Sequence, residues 1–364
     1  MRFLPRQSNG LLFGLFTGLA FLLFGNHWLD EIPGILAALF FFVWLVTAIL
    51  CSAFSVVRQA DSLAHRLGEP LGTLILTLSI TGMEVSMISA VMLSGHDNPA
   101  FARDTMFAVV MIVLAGLVGT ALLLGSLRHR QQVFNLQGAG AFLSLIIPLS
   151  LFGLVMPNFT VSTSGPTFST TQAVVLSALC VGIYAIFLGI QTLRHREFFT
   201  QVSADDGPHP GGARKPLWIT VALLLISLAP VVFLSEELAH VLEFWVHTAH
   251  LPPALAGVVV AGLILAPEGL TGIQAALKNE LQRSVNLLLG SALATIALTI
   301  PAILIVGLLT NKPIVLGLQP REIVLLATTL TLSLLTFSHS RTNVLQGAVH
   351  LIVFLFWILL LVEG

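Results

Sequence analysis

The sequence predicts an all-α polytopic membrane protein of about eleven transmembrane helices: an N-terminal helix followed by two inverted five-helix repeats. Three observations carry this. Asp, Glu, Lys and Arg make up only 9% of the 364 residues, and 56% are apolar, whereas about 25% of a soluble domain is charged. Apolar runs of about 20 residues, enough to cross roughly 30 Å of hydrocarbon as a helix, recur along the chain. Sixteen basic residues sort onto alternate loops. Disorder is excluded by 24 phenylalanines, and a nucleic-acid partner by a net charge of -1 with no basic stripe. Cys51 and Cys180 lie inside apolar runs and read as packing residues, not as a disulfide or metal frame.

Cutting wherever Pro, Gly and charge cluster gives the spans in order. The first, 11–29, comes after Arg2 and Arg6 as in a signal peptide, but no small-residue cleavage site comes after it, so it is expected to remain as a helix. Next come 33–57, closed by Arg58; 70–94, opened by Pro70; 105–127, bounded by Asp104 and Arg128; 138–157; and 171–193, closed by Arg194. Beyond a polar stretch lie 217–235, opened by Pro216; 253–277, opened by Pro252 and Pro253; 284–309, opened by Arg283; 321–338; and 343–362. All are expected to be helices, because an open sheet strands its backbone polar groups in lipid.

With the N-terminus cytoplasmic, thirteen of the basic residues fall on the cytoplasmic side and three, Arg103, Lys312 and Arg321, outside. That is the asymmetry short loops show, and it puts the C-terminus outside. Residues 194–216, with Asp205-Asp206-Gly207-Pro208 and Gly211-Gly212, read as a cytoplasmic linker between a first repeat (33–193) and a second (217–364), with residues 1–32 as the additional helix. Five spans per half means that the halves enter the membrane from opposite sides, the arithmetic of an inverted repeat in secondary transporters.

Two acids fall in mid-span: Glu84 and Glu268. A strongly charged residue at that depth costs about 2.5 to 3.5 kcal/mol by insertion scales, so it belongs where it faces a cavity or a partner. Each lies in the second helix of its half, and a two-fold axis in the membrane plane brings them together. Two carboxylates in a low-dielectric pocket are desolvated and repel one another; a divalent cation or protons relieve both costs, so metal and proton compete. Calcium suits oxygen donors, and no His or Cys flanks either acid.

Thr77, Thr81 and Thr271 lie at helical spacing from the two acids. Pro267 removes a backbone donor, with a helix break that frees carbonyls expected there. In the next helix Asn286 and a hydroxyl stripe of Ser291, Thr295 and Thr299 are expected to face the site, whereas the corresponding first-half span is almost wholly apolar beyond Thr105. A second cluster, Glu236, Glu237 and His240 with Glu243, His247 and His250, reads as an interfacial stretch at the outer mouth that concentrates cations.

These residues resemble the calcium/proton antiporters of the cation/calcium exchanger superfamily, most closely their bacterial ChaA-type branch. The resemblance runs over nearly the whole chain and is densest from Leu263 through Pro267-Glu268-Gly269-Leu270-Thr271 to Leu289-Gly290-Ser291-Ala292-Leu293. It is fainter at Gly82-Met83-Glu84-Val85, at Arg103-Asp104-Thr105 and from Thr342 to Gly347. Met83, Val85, Pro267 and Gly269 depart from the wider signature of Gly-Asn before the acid and His after it, and Gln346 replaces a frequent Glu. The resemblance implies one essential acid per repeat, here Glu84 and Glu268, alternating access, no cofactor, and inorganic cations as partners beside membrane lipid. It implies calcium as the exchanged ion, with sodium or potassium as ions that ChaA-like members also exchange, and a bacterial inner membrane. A cation-selective channel is the alternative, since isolated carboxylates also line pores. A membrane-embedded enzyme lacks its motif: no His-Glu-x-x-His, Gly-x-Ser-x-Gly or P-loop occurs.

Overall fold

The computed structural model describes residues 9–29, 32–68, 71–93, 99–194, 196–199, 216–310 and 312–363. Arg2, Arg6 and most of the expected linker, residues 200–215, lie outside the described residues. Among those described, eleven helical rods succeed one another: α1 (Asn9–Leu29), α2 (Ile35–Leu67), α3 (Leu71–Leu93), α4 (Phe101–His129), α5 (Leu136–Phe159), α6 (Thr170–Arg194), α7 (Leu217–Thr248), α8 (Ala254–Leu277), α9 (Leu281–Thr310), α10 (Pro320–Thr336) and α11 (Val344–Glu363). Nine are long and apolar enough to cross a membrane; α1 carries a shorter apolar stretch, Gly10–Gly25, and α10 has 17 residues.

Local chemistry sets several starts. Asn135 caps α5 by accepting from the amides of Gln137 (2.8 Å) and Gly138 (3.2 Å). Ser169 and Gln172 form a reciprocal capping box at α6, and Gln319 and Glu322 another at α10, where Pro320 takes the first helical position.

Two boundaries differ from the sequence reading. Helix α2 runs ten residues past 57, and α7 continues through 235 to Thr248, so the expected interfacial stretch is the end of one rod. At 1.5 Å per residue these 33- and 32-residue helices reach about 50 Å, more than the hydrocarbon thickness. They pack on one another, bridged by Ser55 and Ser227 (3.1 Å), with α1 laid against both.

Loop contacts separate two faces. On one, Gln132–Val133 pairs antiparallel with Arg341–Thr342, His129 Nε2 meets Leu277 O at 2.8 Å, and Gln132 donates to Ala276 O (2.7 Å). On the other, Arg103 donates to Gly317 O (3.2 Å), Lys312 to Met92 O (2.7 Å) and Leu316 N to Pro166 O (3.2 Å). The first face gathers Arg128, Arg130, Lys278, Arg283 and Arg341, and the second Arg103, Lys312 and Arg321. An omitted or extra span in this stretch would have mixed the two sets.

Four rods contain π-helical turns: Ile112–Leu117 in α4, Leu151–Val155 in α5, Ile190–Arg194 in α6 and Thr295–Thr299 in α9. Such turns insert a residue and rotate the rest of the helix about its axis, and they occur often at functional sites. Those in α4 and α9 occupy the third helix of each expected repeat. Packing corresponds as well, since α11 lies on α4 as α6 lies on α9.

Single cysteines at the exposed positions 130 and 341, in a background lacking Cys51 and Cys180, are expected to react with an impermeant maleimide from one side of oriented vesicles. A cysteine at exposed position 321 should react from the other side. Labelling of 130 and 341 from opposite sides would disprove this arrangement.

Candidate functional site

Glu84 and Glu268 line a single cavity of about 140 Å³, reached by α3, α5, α6, α8 and α9. Both are buried, at 2% and 4% exposure. Glu84 Oε2 accepts from Thr295 Oγ1 at 2.9 Å, and Glu268 Oε2 accepts from Ser291 Oγ. Each carboxylate therefore takes a hydroxyl from α9, one turn apart. Glu84 Oε1 and Thr81 Oγ1 also border the cavity and, although buried, have no hydrogen-bond partner. Buried polar atoms are ordinarily paired, so these two oxygens are placed for a proton or a cation.

The remaining lining includes Thr77, Ile80, Phe142, Tyr184, Phe187, Gln191, Ile264, Asn286 and Gly290. The lining contains no His or Cys, so every donor is oxygen or amide. Thr77, Gln191 and Asn286 lie near the helix ends on the face rich in arginine, and the cavity extends from the carboxylates toward that face. There Phe199 packs edge-on against Phe142 and Phe187, with ring centroids 5.5 and 5.8 Å apart.

The helix backbones explain the convergence. Gly290 and Ser291 leave room on α9 for the cavity. Gly269, beside Glu268, allows close approach to α4: a Cβ there would lie 2.7 Å from the Leu117 side chain. The two halves contribute unequally, because the α9 π turn presents Thr295 to Glu84 while the α4 π turn lays Leu117 against Gly269.

Of the residues singled out in the sequence, Glu84, Glu268, Thr77, Thr81, Asn286, Ser291 and Thr295 border this cavity, whereas Thr299 is buried further along α9 and does not line it. Asn286 is already occupied, donating to Phe199 O and accepting from Gln282 Nε2 (2.8 Å). Thr271 is not in the cavity: it is exposed, and its hydroxyl donates to Pro267 O (2.8 Å), a back-bond common for Thr in helices. Beyond Glu268 the buried positions of α8 are Gly269, Gly272, Ala275 and Ala276, which turn Thr271 outward. The helix also runs unbroken through Pro267, contrary to the expected break.

The second cluster stands apart from this cavity. Glu236 borders an apolar groove with Leu228, Val232 and Phe233. Glu237 faces α1, where a Cβ on Gly25 would meet its carboxylate at 3.3 Å. His240 is exposed, and Glu243 pairs with His247 at 3.7 Å. Tyr184, Gln191, Phe142 and Phe187 did not stand out in the sequence, because each arrives from α5 or α6 and only tertiary packing brings them in.

Residues 37–193 and 219–362 both match the family described as sodium/calcium exchanger protein. The chain belongs to this family. It is 43% identical over 312 residues to the sodium-potassium/proton antiporter ChaA of Escherichia coli, covering 84% of each chain, and 41% identical over 314 residues to a putative ionic transporter, y4hA, of Sinorhizobium fredii, covering 85% of each. In fold it is similar to YfkE, with a TM-score of 0.75 and 18% identity over 97% of this chain and 100% of that one. It is also similar to the H+/Ca2+ exchanger CAX, with a TM-score of 0.69 and 15% identity over 97% and 89%. The chain is thus an integral membrane exchanger of inorganic cations and not an enzyme.

Replacing Ser291 by Ala is expected to weaken apparent cation affinity about tenfold or more, the scale of a hydrogen bond to a charged group, with a smaller change in maximal rate. Thr271→Val should leave both within about twofold, as surface changes generally do. Concentration dependence of uptake in proteoliposomes measures both, and equal effects of the two changes would remove Ser291 from the site.

Proposed function

We propose that the chain is a secondary active antiporter that exchanges calcium, and also sodium or potassium, for protons by alternating access around Glu84 and Glu268. The observation that carries the proposal is the meeting of these two buried acids, one from each half, in one oxygen-lined cavity. A protein dipole alone compensates poorly for two such charges in hydrocarbon, whereas one divalent cation or two protons neutralises both. Hard cations accept this donor set of carboxylates and hydroxyls, and softer metals would call for His or Cys.

The two matched segments, 37–193 and 219–362, support division into two repeats joined by residues 194–216, with residues 1–32 as an added helix. Their opposed entry into the membrane supports an inverted pair. The face gathering most of the arginines is assigned to the cytoplasm by the positive-inside rule, and a bacterial inner membrane fits the two bacterial relatives. The cavity then faces the cytoplasm.

Glu84→Gln and Glu268→Gln keep volume and lose the titrating charge. Each is expected to abolish proton-coupled exchange of calcium, sodium and potassium in proteoliposomes while the protein still inserts and elutes as a single species. Exchange retained in either variant would refute the assignment, and cation flux without opposing proton movement in the unaltered protein would indicate a channel.

Two carboxylates that hold either two protons or one calcium predict electroneutral exchange. Each pH unit then supplies roughly 1.36 kcal/mol per proton, about 2.7 kcal/mol in all, enough for about a hundredfold calcium gradient. The reversal pH gradient, measured at several potassium diffusion potentials, should not move with voltage. A shift would require a further charge, because one elementary charge contributes about 2.3 kcal/mol per 100 mV.

A further inference from the structure

Outside the carboxylate cavity, a second buried polar group lies in the core of the membrane domain. His350 of α11 is fully buried, at 0% exposure. Its Nδ1 lies 2.7 Å from Leu114 O in the α4 π turn, and its Nε2 3.0 Å from Thr336 Oγ1 of α10. A carbonyl only accepts, so Nδ1 carries the proton; the neutral ring then accepts at Nε2 from the threonine hydroxyl. This fixes the tautomer and ties three helices together.

The reason for a donor at this point lies in α4. Within the π turn the amide of Val118 bonds to Val113 O, five residues back, and the inserted residue displaces a carbonyl from the regular ladder. An unpaired carbonyl in hydrocarbon is costly, and His350 supplies a donor to Leu114 O. The contact is built closely. A Cβ on Gly119 would lie 2.9 Å from His350 Cβ, and one on Gly116 would lie 3.0 Å from the Phe354 ring. A side chain on Gly347 would meet Gly119 O at 2.9 Å. Three glycines therefore let α11 approach α4 where the histidine reaches across.

The opposite side of the same turn touches the transport site. Leu117, its last residue, packs where a Cβ on Gly269 would stand, next to Glu268. We propose that His350 is a positioning residue for Glu268: by holding the α4 π turn through Leu114 O, it sets where Leu117 seats α8 and so where the Glu268 carboxylate meets Ser291. This rests on Glu268 being a transport carboxylate. It is the counterpart of a direct arrangement in the other half, where the α9 π turn itself reaches Glu84 through Thr295.

Two substitutions separate positioning from simple packing. His350→Asn places an amide nitrogen where Nδ1 stands and keeps a donor for Leu114 O, whereas His350→Gln places it one bond further, toward Thr336, and loses that donor. The full-length protein in proteoliposomes is assayed with calcium, sodium and potassium as probe cations. His350→Gln is expected to raise the half-saturating concentration by about tenfold or more, the scale on which groups orienting ion ligands act, with maximal rate changed less. His350→Asn should stay within about threefold of the unaltered protein.

Gly119→Ala, which pushes α11 from α4 without altering the histidine, should reproduce the Gln phenotype and keeps the test decisive if His350→Gln does not insert. Equal affinities for the Asn and Gln variants, or an unchanged affinity in Gly119→Ala, would overturn the proposal. Glu268→Gln is run in parallel. Loss of exchange there with no difference between Asn and Gln rejects the positioning role alone, while exchange retained in Glu268→Gln rejects the site on which that role rests.

Discussion

An acid placed in the hydrocarbon core is the constraint around which the molecule is arranged. Neighbouring lipid supplies it no donors, so compensation has to come from side chains within a few ångströms or from what enters the cavity. Here each acid obtains a hydroxyl from α9, and Glu84 Oε1 and the buried hydroxyls of Thr81 and Thr299 are left over. The bundle stays folded while this deficit is local and fillable. A fully paired pocket would have held the acids more firmly but left less for a cation to do.

Delivering two acids to one cavity requires close helix approach, and small residues and π turns provide it. Gly269 admits Leu117, Gly272 lies against Leu288, and Gly257 lets α8 meet the backbone of α4 at Thr105. A regular helix offers a given face every 3.6 residues, so a hydroxyl can be one position out of phase with an acid on another helix. Inserting one residue corrects the phase without moving the helix axis. The turn at Thr295–Thr299 starts beside Glu84 and shifts the phase of the residues beyond it, ending just ahead of Ile300 and Pro301, the latter lacking the amide that a regular ladder would use.

The range of each interaction decides whether the sequence discloses it. Span positions depend on hydropathy averaged over about 20 residues, so the rods occur where runs of Leu, Val, Ile and Phe predict them, and the loop contacts keep Arg130 and Arg341 together, apart from Arg321. Glu84 and Glu268 are legible because a mid-span acid is rare enough to stand out. Finer details rest on rotation and on neighbours. Thr271, three residues from Glu268, turns outward because α8 buries Gly272, Ala275 and Ala276 instead. That Glu237 lies beside Gly25 of α1 depends on tertiary packing, which hydropathy along α7 does not disclose. Pro267 leaves α8 intact because the surrounding helices hold its axis. The π turns leave no signal in hydropathy at all, and with them the role of Leu114 O was invisible.

The inequality of the two halves has a mechanical consequence. Both hydroxyl partners come from α9, whereas α4 offers leucine and a carbonyl already engaged by His350. On the proposed reading, a cation brought to the two acids would change the bonds of Ser291 and Thr295 together, one turn apart on the same rod. A protonated acid still accepts from its hydroxyl at the carbonyl oxygen and gains a proton to donate; a cation would draw on carboxylate and hydroxyl lone pairs together. Occupancy would thus be reported to α9 in either case through the same two hydroxyls. Asn286, one turn and a half along that rod from Ser291, holds Phe199 O at the arginine-rich end of the cavity. A rotation of α9 that accompanies exchange of proton for cation would act on that end as well as on the carboxylates, linking the identity of the bound ion to the side from which it is reached.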